Sequence, residues 1–239
     1  ISKKFNLNDR TVLIYTKHIL HPNRKVVIPI PKQAKTFSKY KAEIIGYLCA
    51  EGNDNDGITH YKEYDHRRNK TYDRIKNRKE INFSNMNTVI QDRFIFLMKK
   101  VYDCPSKPNK KGTIYIQRKK TIEDLRRHTF FGSKVWMVPS ILFKKDSPVD
   151  WAYYFIRAFA DGDGTVDLGK REVRFDSTNK NSFNHLHKLL RGLKIKCRYH
   201  IYPDRGRIAI TDIERYNDLI GFLHPSKKKK LRGLLEPPK

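Results

Sequence analysis

The chain of 239 residues repeats itself, and this repeat limits the folds that it can adopt. Similar segments recur in the same order at an offset of 92 to 94 residues, where 80–83 matches 172–175 and 112–116 matches 206–210. Ser133-Lys134 and Ser226-Lys227 follow at the corresponding distance. Because changes in loop length produce drifts of one or two residues, the pattern predicts two similar halves in one chain.

Each half is predicted to be α+β, with the order helix, two strands, helix, two strands, helix (αββαββα) and antiparallel sheets. Apolar residues alternate in the strand segments and recur at helical spacing between them. In the second half, Ser147 is the expected N-cap of the first helix. The predicted elements are a helix over 148–161, a hairpin over 165–176, a helix over 179–192, a hairpin from 195–202 to 206–211, and a helix over 212–223.

The first half differs from the second by an insertion of polar and basic residues. Gly52 and Phe83 lie 31 positions apart, whereas Gly164 and Phe175 lie 11 apart. The inserted residues predict an extended hairpin or loop, and their many Lys and Arg residues favour contact with nucleic acid.

The repeat also predicts the domain boundaries. Residues 38–145 form the first half, and residues 146–239 form the second half with a basic tail. Residues 1–37 form an N-terminal extension, in which 1–20 resemble the later part of a helix-turn-helix and 26–31 form an extended linker.

The net charge points to a polyanionic partner. Lys and Arg number 51 against 25 Asp and Glu, which gives a charge of +26 at pH 7. Such an excess opposes a compact fold through self-repulsion, so we expect a phosphate-rich partner to compensate it. No segment approaches the ~18 apolar residues of a membrane span. The three cysteines form no CxxC pair, which predicts a reducing, cytoplasmic setting. We also expect the protein to be associated with the nucleoid.

Each half opens with a helix that ends in an acid followed by glycine. These segments are 44–52, with Glu51, and 156–164, with Asp163. Small residues recur along both helices, which predicts that the two helix backbones pack closely. Two carboxylates would then meet at helix C-termini and repel one another, and a divalent ion such as Mg²⁺ relieves that repulsion.

These two segments resemble the nine-residue motif of the LAGLIDADG homing endonucleases, and the chain resembles the monomeric two-motif type encoded by archaeal introns. The first segment keeps Gly46, Ala50, Glu51 and Gly52, with a Cys49 in place of the first Asp of the motif. The second segment keeps Asp161, Asp163 and Gly164, with Ala158 in place of its glycine. The resemblance covers about 38–231.

The resemblance implies a monomer whose two sheets form a saddle on double-stranded DNA. Such a protein cuts both strands of a long site and leaves 3′ overhangs. Mg²⁺ is the implied cofactor, with Mn²⁺ as a substitute and Ca²⁺ as a non-catalytic one. The implied metal ligands are Glu51, Asp163 and the backbone at Ala50 and Gly162, and Lys134 and Lys227 are the implied basic residues beside the cut phosphates.

Alternation along the strands, together with the basic tail, identifies candidate DNA contacts. In the first half they are Arg78, Asn82, Ser84, Tyr115, Gln117 and Arg118. In the second half they are Arg171, Arg174, Asp176, Arg198, His200, Tyr202, Arg205, Arg207, Lys228 and Lys229.

Two other functions share this fold. One is an RNA maturase that assists intron splicing, with intron RNA as the partner. The other is a DNA-binding regulator that does not cleave. Both acids are retained, which favours the endonuclease over either alternative.

Overall fold

The computed structural model describes residues 29–236, apart from the side chains of residues 58–61, 74 and 76–78. The helix-turn-helix predicted for residues 1–20 lies outside the described residues, as does the first half of the predicted linker. In the part that is described, no helix combines the length and the apolar character needed to cross a membrane.

The first half consists of helices around a three-stranded sheet. A short helix, α1, is followed by the first motif helix, α2, and a long hairpin leads to α3. The bounds are α1 Lys32–Lys35, α2 Lys39–Glu51, β1 Gly52–Asp65, β2 Lys70–Ser84, α3 Thr88–Tyr102, β3 Thr113–Ile116, α4 Lys119–Arg126 and a 3-10 helix at Ser140–Phe143.

The second half has the same order around a four-stranded sheet. The second motif helix, α5, leads directly into the first strand of that sheet. The bounds are α5 Val149–Asp163, β4 Gly164–Asp167, β5 Glu172–Ser177, α6 Lys180–Gly192, β6 Cys197–Ile201, β7 Gly206–Ile210, α7 Ile213–Leu219 and α8 Pro225–Leu235.

Strand pairing confirms the repeat and the α+β fold. The sheets have the orders β1-β2-β3 and β4-β5-β7-β6, and all their pairings are antiparallel. Gly52 faces Phe83 just as Gly164 faces Phe175. Likewise, β3 pairs with β2 in the register in which β7 pairs with β5. The strands β1, β2 and β3 of the first half therefore correspond to β4, β5 and β7 of the second.

Both sheets bury one face against the helices of their own half. In the first half, Phe83 of β2 stacks on Phe94 of α3 with ring centroids 4.2 Å apart. In the second half, Phe159 of α5 lies 5.9 Å from Phe175 of β5. All four side chains are fully buried, and Tyr47 of α2 lies 5.8 Å from Phe83, so each motif helix packs on the core of its own half.

Three details differ from the sequence-based predictions. The first sheet has three strands among the described residues instead of four, because residues 103–112 connect α3 to β3 without pairing. The predicted closing helix over 212–223 is shorter, since α7 ends at Leu219 before Gly221 adopts a positive φ of 62°, and α8 follows as a further helix that was not predicted. Ser147 is not the N-cap of α5: its hydroxyl donates to the Ile141 carbonyl at 2.7 Å, and Pro148 takes the capping position.

The insertion in the first half is an extended hairpin. Its strands pair without interruption from Gly52 with Phe83 to Asp65 with Lys70, and Asn69 turns the chain with a φ of 50°. Strand β3 pairs only with residues 81–84, so the outer part of the hairpin is a two-stranded ribbon. This ribbon projects from one half alone.

The two motif helices touch through glycine. A Cβ atom added to Gly46 would lie 2.9 Å from the Cβ of Ala158, and it would also overlap the Phe155 carbonyl oxygen. A Cβ atom added to Gly162 would lie 2.6 Å from the Cβ of Ala50. Real Cβ atoms do not approach this closely, so the crossing of α2 and α5 requires both glycines.

A buried ion pair network also joins the halves. Glu43 of α2 is fully buried and accepts from Arg93 of α3 at 2.8 and 2.6 Å. The guanidinium of Arg157, which belongs to α5, reaches the same carboxylate at 3.4 Å. Because a buried carboxylate without partners is costly, this network favours one register of α2 on α5.

We expect Gly46→Ala to lower the free energy of unfolding by about 1–3 kcal/mol, because the new methyl group forces the two motif helices apart. Gly233→Ala is the matched control, since it lies within α8 and a Cβ atom there meets nothing within 4 Å. That variant is expected to gain about 0.5–1 kcal/mol from helix propensity. Urea denaturation measures both, and equal effects of the two substitutions would contradict the close helix contact.

Candidate functional site

The two motif helices bring Glu51 and Asp163 together at one end of their contact. Each helix ends at its acid, and the following glycine begins a strand while its amide donates back to the carbonyl of Leu48 or Ala160. A Cβ atom on Gly162 would lie 2.9 Å from the Cγ of Glu51, so the Glu51 side chain rests directly on α5. Small residues at the contact thus place the first acid against the end of the opposite helix.

Burial and mutual repulsion make this pair costly in its charged form. Burial, together with the nearby Glu51 carboxylate, raises the pKa of Asp163 to about 7 against the opposing effect of Lys227. Burial also raises the pKa of Glu51, and Lys227 again opposes the shift. A positive charge beside these acids would therefore stabilise their ionised form.

Lys227 is the cation that the structure places at this site. Its Nζ donates to the carbonyls of Ala160, Asp161 and Gly162 at 3.0, 2.6 and 2.7 Å, so it closes the C-terminal end of α5. Burial lowers the pKa of Lys227, while the three nearby carboxylates raise it. The lysine at the aligned place in the first half, Lys134, is exposed in a turn.

Asp161 lies just behind the paired acids and is only 1% exposed. Its Oδ1 accepts from the amides of Leu223 and His224, each at 2.9 Å. The Tyr47 hydroxyl, from the other motif helix, donates to Oδ2 at 3.4 Å. Burial raises the pKa of Asp161 to about 6, although the two amide donors act in the opposite direction.

An open pocket of about 440 Å³ lies beside these groups. Both halves contribute to its wall, the first half with the acid Glu51 and the second half with Lys227. Its lining residues are Glu51, Ser84, Asn85, Met86, Asn87, Lys111, Asp161, Gly162, His224 and Lys227.

Two basic residues of this pocket, Lys111 and His224, were missed by the sequence analysis. Lys111 directly precedes the Gly112 that begins one of the repeated segments, where the second half has Arg205 before Gly206. This alignment would have identified it. His224 has no such signal, because it reaches the pocket only through the break between α7 and α8.

The metal site predicted here rests on few side chains. Among the described residues, His, Cys, Asp and Glu form no group of three that could hold a metal ion. Glu51 and Asp163 are the acidic pair, and both have carboxylate oxygens, which suit a hard divalent cation. The Gly162 carbonyl already accepts from Lys227 at 2.7 Å, while Ala50 contributes its methyl group to the helix contact.

The outer face of the second sheet is a connected array of charged side chains. Across β5, β7 and β6, one row consists of Arg174, Ala209 and Arg198, and the next consists of Asp176, Arg207 and His200. Asp176 is the centre of the array, because its carboxylate lies 3.0, 3.7 and 2.8 Å from Arg174, Arg205 and Arg207, respectively. The predicted residues Arg174, Asp176, Arg198, His200 and Arg207 thus share one face, on which the Asp176 carboxylate is paired with three arginines.

The outer face of the first sheet is mainly neutral. Asn82 faces Asn53 and Tyr115 across the strands, and the Ser84 and Thr113 hydroxyls lie 3.0 Å apart. Tyr115 is 42% exposed, and Asn82 and Ser84 are partly exposed. Asn53 was not among the predicted contacts, because β1 was not assigned to a face.

The remaining candidates for DNA contact fall into different groups. Arg118 donates to the Tyr102 carbonyl at 2.6 Å, and Arg171 donates to the Leu234 carbonyl at 2.6 Å, so both brace the fold. Lys228 and Lys229 are exposed on α8. The positions of the others vary: Gln117 donates to Glu80 at 3.1 Å, Tyr202 and Arg205 lie at the turn between β6 and β7, and the Arg78 side chain is outside the described part.

Comparison with known families supports the resemblance seen in the motif segments. Residues 150–221, which include most of α5 with Asp163 and all four strands of the second sheet, match the model of the LAGLIDADG-like domain. The second half of the chain is therefore similar to a LAGLIDADG-like domain. No curated protein sequence matches the chain.

Solved structures that are similar to this chain have low sequence identity to it. The full-length DUF199/WhiA protein of Thermotoga maritima is 13% identical, with a TM-score of 0.50 over 89% of this chain and 64% of that chain. I-DmoI in complex with DNA and manganese is 15% identical, with a TM-score of 0.47 over 76% of this chain and 96% of that chain. At these identities, the likeness concerns the fold alone.

The raised pKa of Asp163 gives a test of the paired-acid site. The pKa is about 7 in the folded protein, against an ordinary 3.8, so the folded state binds more protons between these values. Stability therefore falls as the pH rises through this window, and the loss is complete above it. We expect Asp163→Asn, in EDTA, to raise the free energy of unfolding by on the order of 1–3 kcal/mol at pH 8.

The gain should shrink as the pH is lowered toward 5, where wild-type Asp163 is already neutral in the folded protein. Urea denaturation at a series of pH values measures it. Asp146→Asn, at an exposed acid, is the control and should show little change at any pH. A gain for Asp163→Asn that does not depend on pH would contradict the proposed burial of its charge.

Proposed function

We propose that this protein is a homing endonuclease that makes a metal-dependent double-strand break in a long DNA site and leaves 3′ overhangs. The observation that carries the proposal is the pair of acids, one from each half, which meets at the end of the glycine contact between α2 and α5. One acid per half suits the hydrolysis of one phosphodiester bond in each of two strands.

The domain organisation proposed with this function has two halves that act on one DNA molecule as a monomer. Residues 38–145 and 146–239 would each bind half of the site, and residues 1–37 would form an extension. The contacts of Glu43 with Arg93 and Arg157 support this division, since they hold the halves in one register. A single chain then supplies both acids without a partner copy.

The cost of the paired acids supports cleavage over binding alone. The folded protein is less stable when Glu51 and Asp163 are charged, because both acids are buried and the two carboxylates repel each other. A DNA-binding regulator gains nothing from this arrangement. Groups that are costly to the fold and lie beside an open pocket are typical of a catalytic site.

The donor set fits a hard divalent cation, which we propose to be Mg²⁺, with Mn²⁺ as a substitute and Ca²⁺ supporting binding only. Glu51 and Asp163 would hold it, with main-chain oxygens at Ala50 and Gly162. When bound, such an ion lowers the pKa of water and stabilises developing charge on phosphate oxygens. In hydrolysis, a water oxygen forms a bond to phosphorus, one P–O ester bond breaks, and the leaving oxygen takes a proton.

The residues around the acids would orient the phosphate. Lys227 lies at the pocket that includes Glu51, where its charge favours a phosphate that gains negative charge in the transition state. Lys111, in the same pocket, would attract the backbone from the other side. Lys134 is proposed for the corresponding task beside Asp163, since the neighbouring Ser133 carbonyl accepts from Thr178 of the second half at 3.4 Å.

Double-stranded DNA is the proposed partner, held on the outer faces of the two sheets. The second sheet offers guanidinium groups, which bind phosphates and guanine, whereas the first sheet offers amides and hydroxyls. The proposed contacts are Arg78, Asn82, Ser84, Tyr115 and Gln117 from the first half, and Arg174, Arg198, His200, Tyr202, Arg205, Arg207, Lys228 and Lys229 from the second.

The test is cleavage of a randomised duplex DNA library with Mg²⁺, followed by sequencing of the ends. Cuts at one long sequence, lost in EDTA, would support the proposal and reveal the site. Tight binding to structured intron RNA with no cuts would favour a maturase. Binding to one duplex sequence without metal and without cuts would favour a regulator.

We expect Glu51→Gln and Asp163→Asn each to reduce double-strand cleavage by at least 10³-fold while DNA affinity stays within about threefold. Each substitution removes a metal ligand and a charge but keeps the shape of the side chain. Cleavage of the selected duplex and a filter-binding assay in Ca²⁺ give the two quantities. Asp146→Asn is the control, and normal cutting of both strands by either test variant would overturn the assignment.

Asp176 gives a separate test of DNA recognition. We expect Asp176→Ala to lower the preference for the selected site over random DNA by about tenfold, because three arginines lose the carboxylate that orients them. Binding to random DNA should become stronger as negative charge is removed from the face. Asp204→Ala is the matched control, since Asp204 pairs only with its neighbour Arg205, at 3.3 Å, among the described residues. Equal preferences in the two variants would count against this role.

A further inference from the structure

We propose that Asp161 is a positioning residue for Lys227, and that the two cutting sites are therefore unequal: the DNA strand at the Glu51–Lys227 pocket is cut before the other. This inference rests on the proposed endonuclease function. It concerns the order of the two cuts, which the presence of two acids does not determine.

Asp161 is built into the fold as an anchor for the start of α8. It is 1% exposed, and its Oδ1 takes both the Leu223 and the His224 amide at 2.9 Å. These two residues immediately precede Pro225, at which α8 begins. A carboxylate that accepts two amides holds the connection between α7 and α8 against the end of α5.

Helix α8, which Asp161 holds in place, in turn binds the end of α5 through a lysine. Lys227 lies in the first turn of α8, and its Nζ donates to the carbonyls of Ala160, Asp161 and Gly162. The α5 end and the α8 start are thus tied twice, once through the Asp161 carboxylate and once through the Lys227 ammonium. The lysine is held in place beside Glu51 before any DNA arrives.

The first half lacks this device. At the position aligned with Asp161 it has Cys49, a buried thiol, which is a much weaker acceptor than a carboxylate. The aligned lysine, Lys134, lies in an exposed turn, and residues 133–135 do not begin a helix. Lys134 must therefore be ordered when DNA binds, at the cost of its side-chain freedom.

Preorganisation converts this difference into a difference in rate. A charge already held at the place where negative charge develops needs no reorganisation during the reaction. A flexible lysine has to be immobilised first, which slows the step that it assists. We therefore expect a nicked intermediate with the cut in the strand that Lys227 serves.

The test uses the selected duplex with each strand labelled separately, so that the rate of each cut is measured. Lys227→Met identifies the strand that depends most on this lysine. In the wild type, that strand should be cut first, by at least fivefold in rate. Asp161→Ala should slow the same strand by at least tenfold and the other strand by less than threefold.

Three further variants separate positioning from a general loss of structure. Asp161→Asn keeps an oxygen that can accept both amides, so its strand rates should stay within about threefold of the wild type. Asp161→Cys introduces the residue that the first half carries at this position, and it should slow the same strand as Asp161→Ala does. It replaces Asp161→Ala in the test if the alanine variant fails to fold. Cys49→Ala, at the aligned position, should leave the ratio of the two strand rates unchanged.

A readout without DNA keeps this inference separate from the proposed function. In the wild type, Lys227 should react with an amine-acylating reagent at least tenfold more slowly than Lys134, as measured by mass spectrometry of the labelled peptides. Asp161→Ala should remove most of this protection, and it should speed hydrogen exchange at the amides of Leu223 and His224. Thermal unfolding confirms that each variant is folded.

Two results would overturn the inference. One is equal slowing of both strands by Asp161→Ala in a protein whose wild type cuts DNA, which would leave the endonuclease function intact. The other is unchanged protection of Lys227 in that variant. If the wild type cuts no DNA, the order of cuts is refuted together with the proposed function, and the labelling result still decides whether Asp161 positions Lys227.

Discussion

The contact of α2 with α5 at Gly46 and Gly162 is the constraint on which the rest of the structure depends. The helices approach so closely that a methyl group on either glycine would overlap the opposite helix. Each helix is anchored on its own sheet, so this single crossing sets the angle and spacing of two otherwise separate cores. It also brings Glu51 to the end of α5, which means that the site exists only because the halves are packed together.

The same constraint explains which features could be predicted from sequence. The repeat at 80–83 and 172–175 predicted strand pairing that the structure confirms, because alternation of buried residues such as Phe83 and Phe175 is a local property. The small residues at Gly46 and Gly162 likewise predicted the helix contact. Both features follow from the spacing of residues within a single helix or strand, which can be read directly from the sequence.

The features that were missed depend on contacts between distant residues. His224 reaches the pocket because Gly221 breaks the closing helix and Asp161 fixes the following residues. Arg118 and Arg171 looked like DNA contacts, but each finds a main-chain carbonyl far along the chain. Charge alone does not distinguish a side chain that braces the fold from one that is free to bind.

The long hairpin of the first half has a consequence for the length of DNA that the protein covers. From Asn55–Glu80 to Asp65–Lys70 the strands pair without a third neighbour, and at about 3.3 Å per residue this ribbon extends roughly 35 Å. Duplex DNA rises about 3.4 Å per base pair, so the ribbon matches one full turn of the double helix. The second sheet has no such arm. On the proposed substrate, the footprint would reach further on one side of the cut than on the other, and the target would have no dyad symmetry.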